Sequence, residues 1–286
     1  MVAQERDPQF LSQGVNYLGF LSQQLGNLHG ITTLAYELVQ NADDAKDESG
    51  KLAATRITFE VSDDALVVSN DAVFREIDFN RMRNVASGTK RLEAGERTTG
   101  AFGIGFISVY QMTDRPELLS SGRHWVLRPE EPEHCRITQY RDASITKEKG
   151  AVFRLPWAFE RTAVRKALRM PPVQRSNLDS FVRELKDSLP KAIIFLKKIE
   201  TIELRRNGKL VSKVARVIEG DDILVDCDGV SQVWHILHGN FNEAANALKT
   251  QFESYIEDNR TTQVRVAVPD SLLENGLLYA TLPTVE

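Results

Sequence analysis

The sequence predicts an α+β protein in two parts, an α/β sandwich over residues 1–157 followed by a smaller α+β domain over 158–286. Three observations carry this. Leu34, Leu38, Ala42 and Ala45 recur at helical spacing, residues 55–61 alternate as a half-buried strand does, and Pro171-Pro172 interrupts the chain between two such mixed regions. With 286 residues, 42% hydrophobic and 27% charged, the chain has enough apolar material for a sizeable core in a folded globular protein.

Taken in order, residues 1–7 carry charges of both signs and no apolar run, so no signal peptide is expected. Phe10, Leu11, Tyr17, Leu18, Phe20, Leu21 and Leu25 follow a helical rhythm interrupted by Gly14, Gly26 and Gly30, which predicts one or two short helices ahead of the main one. A main helix over about 32–46 comes next. Residues 55–61 and 65–69 form a predicted hairpin that delivers Asn70-Asp71 to a strand end, where loops carry binding groups. A short helix over 78–85, a small polar stretch over 86–90 and a helix-like segment over 107–112 precede strands at 116–121, 123–127, 136–140 and 150–156. In the second part a helix that starts at Ser176-Asn177-Leu178-Asp179 and runs to about Leu189 turns Leu178, Phe181, Leu185 and Leu189 inward. Strands at 201–205 and 209–217 flank Asn207-Gly208, a pair suited to a type I′ turn. Further strands are expected at 223–225, 232–237, 262–268 and 277–282, with a helix over 241–257.

On the main helix Glu37, Asn41 and Asp44 stand at i, i+4 and i+7, with no basic residue between Thr32 and Ala45. Acid, amide oxygen and acid in a row suit a magnesium–phosphate site; a solvated face with chance acids is the plain alternative. Farther along, Gly100, Gly103 and Gly105 directly precede a helix-like segment, so backbone N–H groups there can face an anion. Such a run alone is often a tight turn; its place after the acidic helix and Asn70-Asp71 gives it weight.

In that order, Glu37-x-x-x-Asn41-Ala42-x-Asp44-Ala45, Asn70-Asp71 with Phe74, Ser87-Gly88-Thr89-Lys90 and Gly100-Ala101-Phe102-Gly103-Ile104-Gly105-Phe106 resemble the ATP-binding domain shared by Hsp90, gyrase B, MutL and histidine kinases, the Bergerat-fold or GHKL ATPases. The wording is most similar to Hsp90 and to the Hsp90-like segments of sacsin. The resemblance covers about residues 10–157 and departs from the family's Asp-x-Gly-x-Gly after Asp71, where Ala72, Val73 and Phe74 stand. It implies a Bergerat-type sandwich that binds ATP with Mg²⁺, followed by a transducer-like domain. Glu37 would then be the general base, Asn41 the magnesium ligand and Asp44, with Ala45 beside it, a holder of neighbouring waters. Asp71 would accept from the adenine amino group near Phe74, and Asn80 would contact the nucleotide. Ser87, Gly88, Thr89, Lys90, Gly100, Gly103, Ile104, Gly105 and Phe106 would line the phosphates as part of a lid. Relatives place Thr after the glycine of the last strand; Ala151 cannot make that contact.

The expected function is slow ATP hydrolysis coupled to conformational change, chaperone-like or controlling an effector. Its partners would be ATP or ADP, a second copy in a longer protein, and an unidentified client. The alternatives are a noncatalytic nucleotide-binding scaffold, against which Glu37 speaks, and a DNA-handling ATPase akin to MutL or the MORC proteins. A net charge of −4 disfavours a nucleic-acid partner. No apolar run reaches the length of a membrane span, and Cys135 and Cys227, in different parts, fit a reducing, cytoplasmic setting. His29, His124, His134, His235 and His238 show no metal-ligand spacing. Arg165, Lys166, Arg169, Lys191, Lys197 and Lys198 read as solvated faces, or one of them as a cation that reaches the γ-phosphate from the second domain.

Overall fold

Apolar alternation gathers the described strands into one mixed sheet, with helices packed on its core-bearing face. The structure, a computed structural model, describes residues 16–26, 28, 30–83, 105–141, 150–251 and 263–270. Helix α1 (Tyr17–Leu25) starts at Asn16, whose side chain accepts the Gly19 N–H at 3.0 Å and so satisfies one orphan donor of the first turn. Helix α2 (Gly30–Asp43) buries Leu34, Leu38 and Ala42 as predicted, together with Ile31, Ala35, Val39 and Asp43. It stops short of residue 46 because Lys46 enters a bridge with Leu52, and the Asp47 carboxylate gathers the N–H groups of Ser49 and Lys51 into a turn.

The strands are β1 (Arg56–Val61), β2 (Ala65–Asn70), β3 (Glu117–Ser120), β4 (Arg123–Leu127), β5 (Ile137–Arg141), β6 (Ala151–Pro156), β7 (Thr201–Arg206), β8 (Lys209–Glu219), β9 (Asp222–Cys227), β10 (Val230–Asn240) and β11 (Gln263–Pro269). Their order in the sheet is β11-β10-β9-β8-β7-β1-β2-β6-β3-β4-β5. β7 runs parallel to β1, and the other described neighbours are antiparallel. Between them come α3 (Glu76–Arg83), a 3₁₀ helix (Gly105–Gln111), α4 (Ala163–Ala167), α5 (Leu178–Ala192) and, before β11, α6 (Asn242–Gln251). The Asn207-Gly208 turn has positive φ at both residues, 47° and 78°, as a type I′ hairpin requires. The strand expected at 277–282 and the end of the helix expected over 241–257 lie outside the described residues.

The chain is therefore α+β, and the sheet passes without a break across the boundary expected after residue 157. One core runs from Leu21 through Leu38, Ile57, Leu155 and Leu185 to Ile202 and Ile236. A second cluster of Phe79, Leu118, Trp125, Leu127, Ala151 and Phe153 sits under Phe74 and Phe106.

Polar groups lock residues beyond 157 onto the first part. Asp43, 2% exposed, accepts the backbone N–H groups of Lys197, Lys198 and Ile199 at 2.6, 2.7 and 2.9 Å. Arg216, 5% exposed, donates to the carbonyls of Ile199 and Ile194. Burial lowers its pKa, and the charges of Asp43 and Glu200 oppose that shift. Arg165 is not on a solvated face. It is fully buried, donates to the carbonyls of Tyr110 and Gln111 at 2.8 and 3.1 Å, and sets its Nε 2.9 Å from Asp114. Thr162 donates to the same aspartate at 2.6 Å, so α4 is tied to the end of the 3₁₀ helix.

Replacing Asp43 with Ala strands the three N–H groups of the 197–199 turn and removes a buried charge that supports Arg216. We expect Asp43→Ala to cost about 3–5 kcal/mol, read as a lower urea midpoint. Asp63→Ala, on the exposed turn after β1, should leave the midpoint near wild type. Equal midpoints for both variants would show that the turn holds without Asp43.

Candidate functional site

Glu37 and Asn41 lie half-buried on α2. The next residue of the set, Asp44, stands just past the helix end, its N–H donating to the Gln40 carbonyl at 2.9 Å. Its carboxylate is buried and receives the Lys197 ammonium at 3.0 Å, so Lys197 is not a freely solvated lysine either. Ala45 packs on the core, and its carbonyl accepts the Ala53 N–H at 2.9 Å.

Across from α2 runs the end of the glycine motif. A Cβ built on Gly105 would overlap Glu37 Oε2 and lie 2.7 Å from Glu37 Cδ. Glycine is required there for space rather than for an unusual φ: the backbone approaches the carboxylate as closely as atoms allow. Phe106, next in the chain, packs against both hydrophobic clusters and lies 5.5 Å from the Phe153 ring. The helix acid and Gly105 thus meet next to Phe106, which touches both clusters.

The strand end at Asn70-Asp71 divides by parity. Asn70 is opposite Ile57 on one side and Ala151 on the other, and Ile57 is opposite Ile202. The row Ile202–Ile57–Asn70–Ala151 lies on the helix-covered face, and Asn70 is its polar member. Its Oδ1 accepts the Ala72 N–H at 3.0 Å. Asp71, one residue on, is exposed, and both its oxygens are engaged: Oδ1 accepts the N–H groups of Thr55 and Arg56 at 2.8 and 3.1 Å, and Oδ2 accepts the Thr55 hydroxyl at 2.6 Å. Gly150, at φ +76°, backs this strand end; a Cβ there would collide with the Asn70 carbonyl. Ser120 donates to the Gly150 carbonyl and accepts the Phe74 N–H, which fixes the loop after Asp71. Phe74 stacks edge-on with Phe79 and Phe153, and Asn80 is exposed on α3.

The structure therefore brings Gly105 against Glu37, with Asn41 one turn further along α2 and Asp44 past its end on Lys197, and sets Phe74 in the second cluster that Phe106 also touches. Ser87, Gly88, Thr89, Lys90, Gly100, Gly103 and Ile104 lie outside the described residues. Motif reading passed over Asp43 and treated Asn70 only as the neighbour of Asp71. Both left a signal. Asp43 continues the apolar series Ala35, Val39 at i+4 spacing, where a carboxylate needs a buried partner. Asn70 continues the inward series Leu66, Val68 at strand spacing.

Residues 16–145 match the Sacsin domain. Human sacsin is 39% identical over 102 residues, 29% of this chain and 2% of sacsin. Protein NO VEIN of Arabidopsis thaliana is 24% identical over 254 residues, 84% of this chain and 9% of its own length. The first half of the chain is sacsin-like, and the whole spans less than a tenth of either curated relative.

The close approach of Gly105 to Glu37 can be tested as a pairwise term. Gly105→Ala should destabilise by about 1–3 kcal/mol through overpacking. Adding Glu37→Ala should recover most of that loss, because the added methyl then has room. A double-mutant cycle by chemical denaturation measures the coupling; additive effects would mean that the two groups are not in contact.

Proposed function

We propose that this chain is a Bergerat-type, GHKL-like module that binds ATP with Mg²⁺, hydrolyses it slowly and converts occupancy into a conformational change. The observation that carries this reading is the Glu37–Gly105 contact, where the acid–amide helix meets the last glycine of the motif. Glu37 is held against backbone and half-buried, a setting in which a carboxylate can orient a water and accept its proton. Asn41, one turn on, has the amide oxygen that a hard cation prefers; bound there, magnesium would offset phosphate charge. Asp44, already paired with Lys197, would order the waters around that cation.

Adenine would be read at the Asn70-Asp71 strand end. Of the two, Asn70 faces the helical layer, whereas Asp71 is committed to Thr55 and Arg56. The phosphates would lie along Ser87, Gly88, Thr89, Lys90 and the run from Gly100 to Phe106, with Asn80 at the rim. Residues beyond 157 would act as the transducer-like part, a role supported by the grip of Asp43 on the 197–199 turn. A cytoplasmic setting, a chaperone-like or effector-controlling output and a homodimer in the longer protein complete the proposal. The engagement of Asp71 and the presence of Ala151 favour a second reading, a scaffold that keeps the fold without turnover.

Isothermal titration decides the binding part. ATP or ADP with Mg²⁺ should bind the wild type and fail to bind Asn41→Ala, while Asn70→Leu should weaken binding more than Asp71→Asn does. No heat from the wild type at millimolar nucleotide would end the proposal. For the chemistry, Glu37→Ala in the longer natural protein should keep ATP affinity within a few-fold and lose roughly 10²–10⁴-fold in turnover, the usual worth of a general base. Phosphate release at the wild-type rate would remove Glu37 from that role, and no release from the wild type, under conditions where ATP binds, would favour the scaffold.

A further inference from the structure

At one edge of the sheet, β11 pairs with β10, with Leu237 opposite Val266 and His235 opposite Val268, and no other described strand flanks it. Alternation fixes which of its backbone groups remain. The Asp270 N–H donates to the Val233 carbonyl at 2.9 Å, while the Ile236 N–H turns the other way, to the Asp221 carbonyl at 2.8 Å. Even-numbered residues of β11 therefore bond to β10, and the N–H and C=O groups of Gln263, Arg265 and Ala267 point out of the sheet. Pro269 belongs to the same outward set, where its missing N–H takes nothing from the pairing with β10.

Side chains divide with the same period. Val264, Val266 and Val268 lie on the face away from the core and are 45%, 42% and 41% exposed, beside Leu237 at 58%. Ala267 packs inward, and Arg265, the one charge in the strand, lies over the Phe195 ring at 5.6 Å. Among the described residues, most large apolar side chains that stay exposed belong to the stretch 210–268. An edge with apolar side chains and outward donors is a template for strand addition, and the usual guard, a charge on its open face, is turned to the other side here.

We propose that β11 pairs antiparallel with β11 of a second copy of this chain, about a two-fold axis at Val266. In this register Val266 meets its own copy and Val264 meets the partner's Val268, while Arg265 and the partner's Ala267 exchange hydrogen bonds. The neighbouring registers fail on chemistry. An axis at Arg265 sets two guanidinium groups directly opposite. An axis at Ala267 puts the apolar Val264 directly against the partner's Asp270 carboxylate. This surface is separate from the Glu37 site and stands or falls independently of nucleotide binding.

Cross-linking in the full chain tests the register. Cys135 is exposed and is first changed to Ser; Cys227 is half-buried. In the proposed register the Val266 pair is not hydrogen-bonded, and such pairs have Cα atoms about 4.5 Å apart, within disulfide range. Oxidised Val266→Cys should run as a covalent dimer on a non-reducing gel. Val264→Cys alone should not, whereas Val264→Cys mixed with Val268→Cys should. Without oxidation, light scattering should find a concentration-dependent dimer that Ala267→Pro, which removes an outward N–H and leaves the β10 ladder intact, returns to monomer. A wild type that stays monomeric at all concentrations, or equal cross-linking at 264 and 266, overturns the proposal. Dimerisation seen only after removal of 271–286 would overturn it too, because that segment of the chain itself would then be the occupant of the edge.

Discussion

The Asp43 carboxylate is the interaction on which the arrangement depends. It ends α2, the helix that carries Glu37 and Asn41, and accepts three hydrogen bonds from one turn, residues 197–199. That turn leads directly into β7, whose parallel pairing with β1 continues the sheet into β8–β11. A buried carboxylate is tolerable only when fully served, and here it has three backbone donors and Arg216 within electrostatic reach. If α2 shifts along its axis, the turn must follow or those donors lose their partner. The helix end and the start of β7 therefore behave as one body.

The candidate site follows from that constraint together with the fixing of the opposite wall. The 3₁₀ helix that begins at Gly105 is held at its far end by the buried Arg165, through the carbonyls of Tyr110 and Gln111. Arg165 in turn rests on Asp114, which Thr162 also binds. Burial lowers the pKa of Arg165, and the charge of Asp114 opposes that shift. With α2 anchored by Asp43 and the 3₁₀ helix by Arg165, Glu37 and Gly105 meet between two fixed elements.

Much of this was legible in the sequence because it rests on short-range periodicity. The stripe of α2, the alternation of β1 and the Asn207-Gly208 turn depend on neighbours a few residues apart, and each lies where its pattern places it. What could not be read depends on partners far along the chain. Arg165 and Lys197 sit in charge-rich stretches that look like solvated faces, and only the fold brings Asp114 and Asp44 to them. The extent of the sheet was hidden for the same reason. Pro171-Pro172 does break the chain after α4, yet no local feature announces that β7 returns to lie beside β1.

Parity explains the difference between Asn70 and Asp71. Side chains on a strand alternate between faces, so two adjacent polar residues at a strand end cannot both look into the helical layer. Leu66 and Val68 face inward, which turns Asn70 inward as well and leaves Asp71 to the other side. There its carboxylate gathers Thr55 and Arg56 at the start of β1, and the Thr55 carbonyl accepts the N–H groups of Glu200 and Thr201 from the far side. Asp71 thus contributes to the β1–β7 seam that joins the two halves of the sheet. In this chain the acid of the pair serves the scaffold, and the amide beside it faces the helical layer.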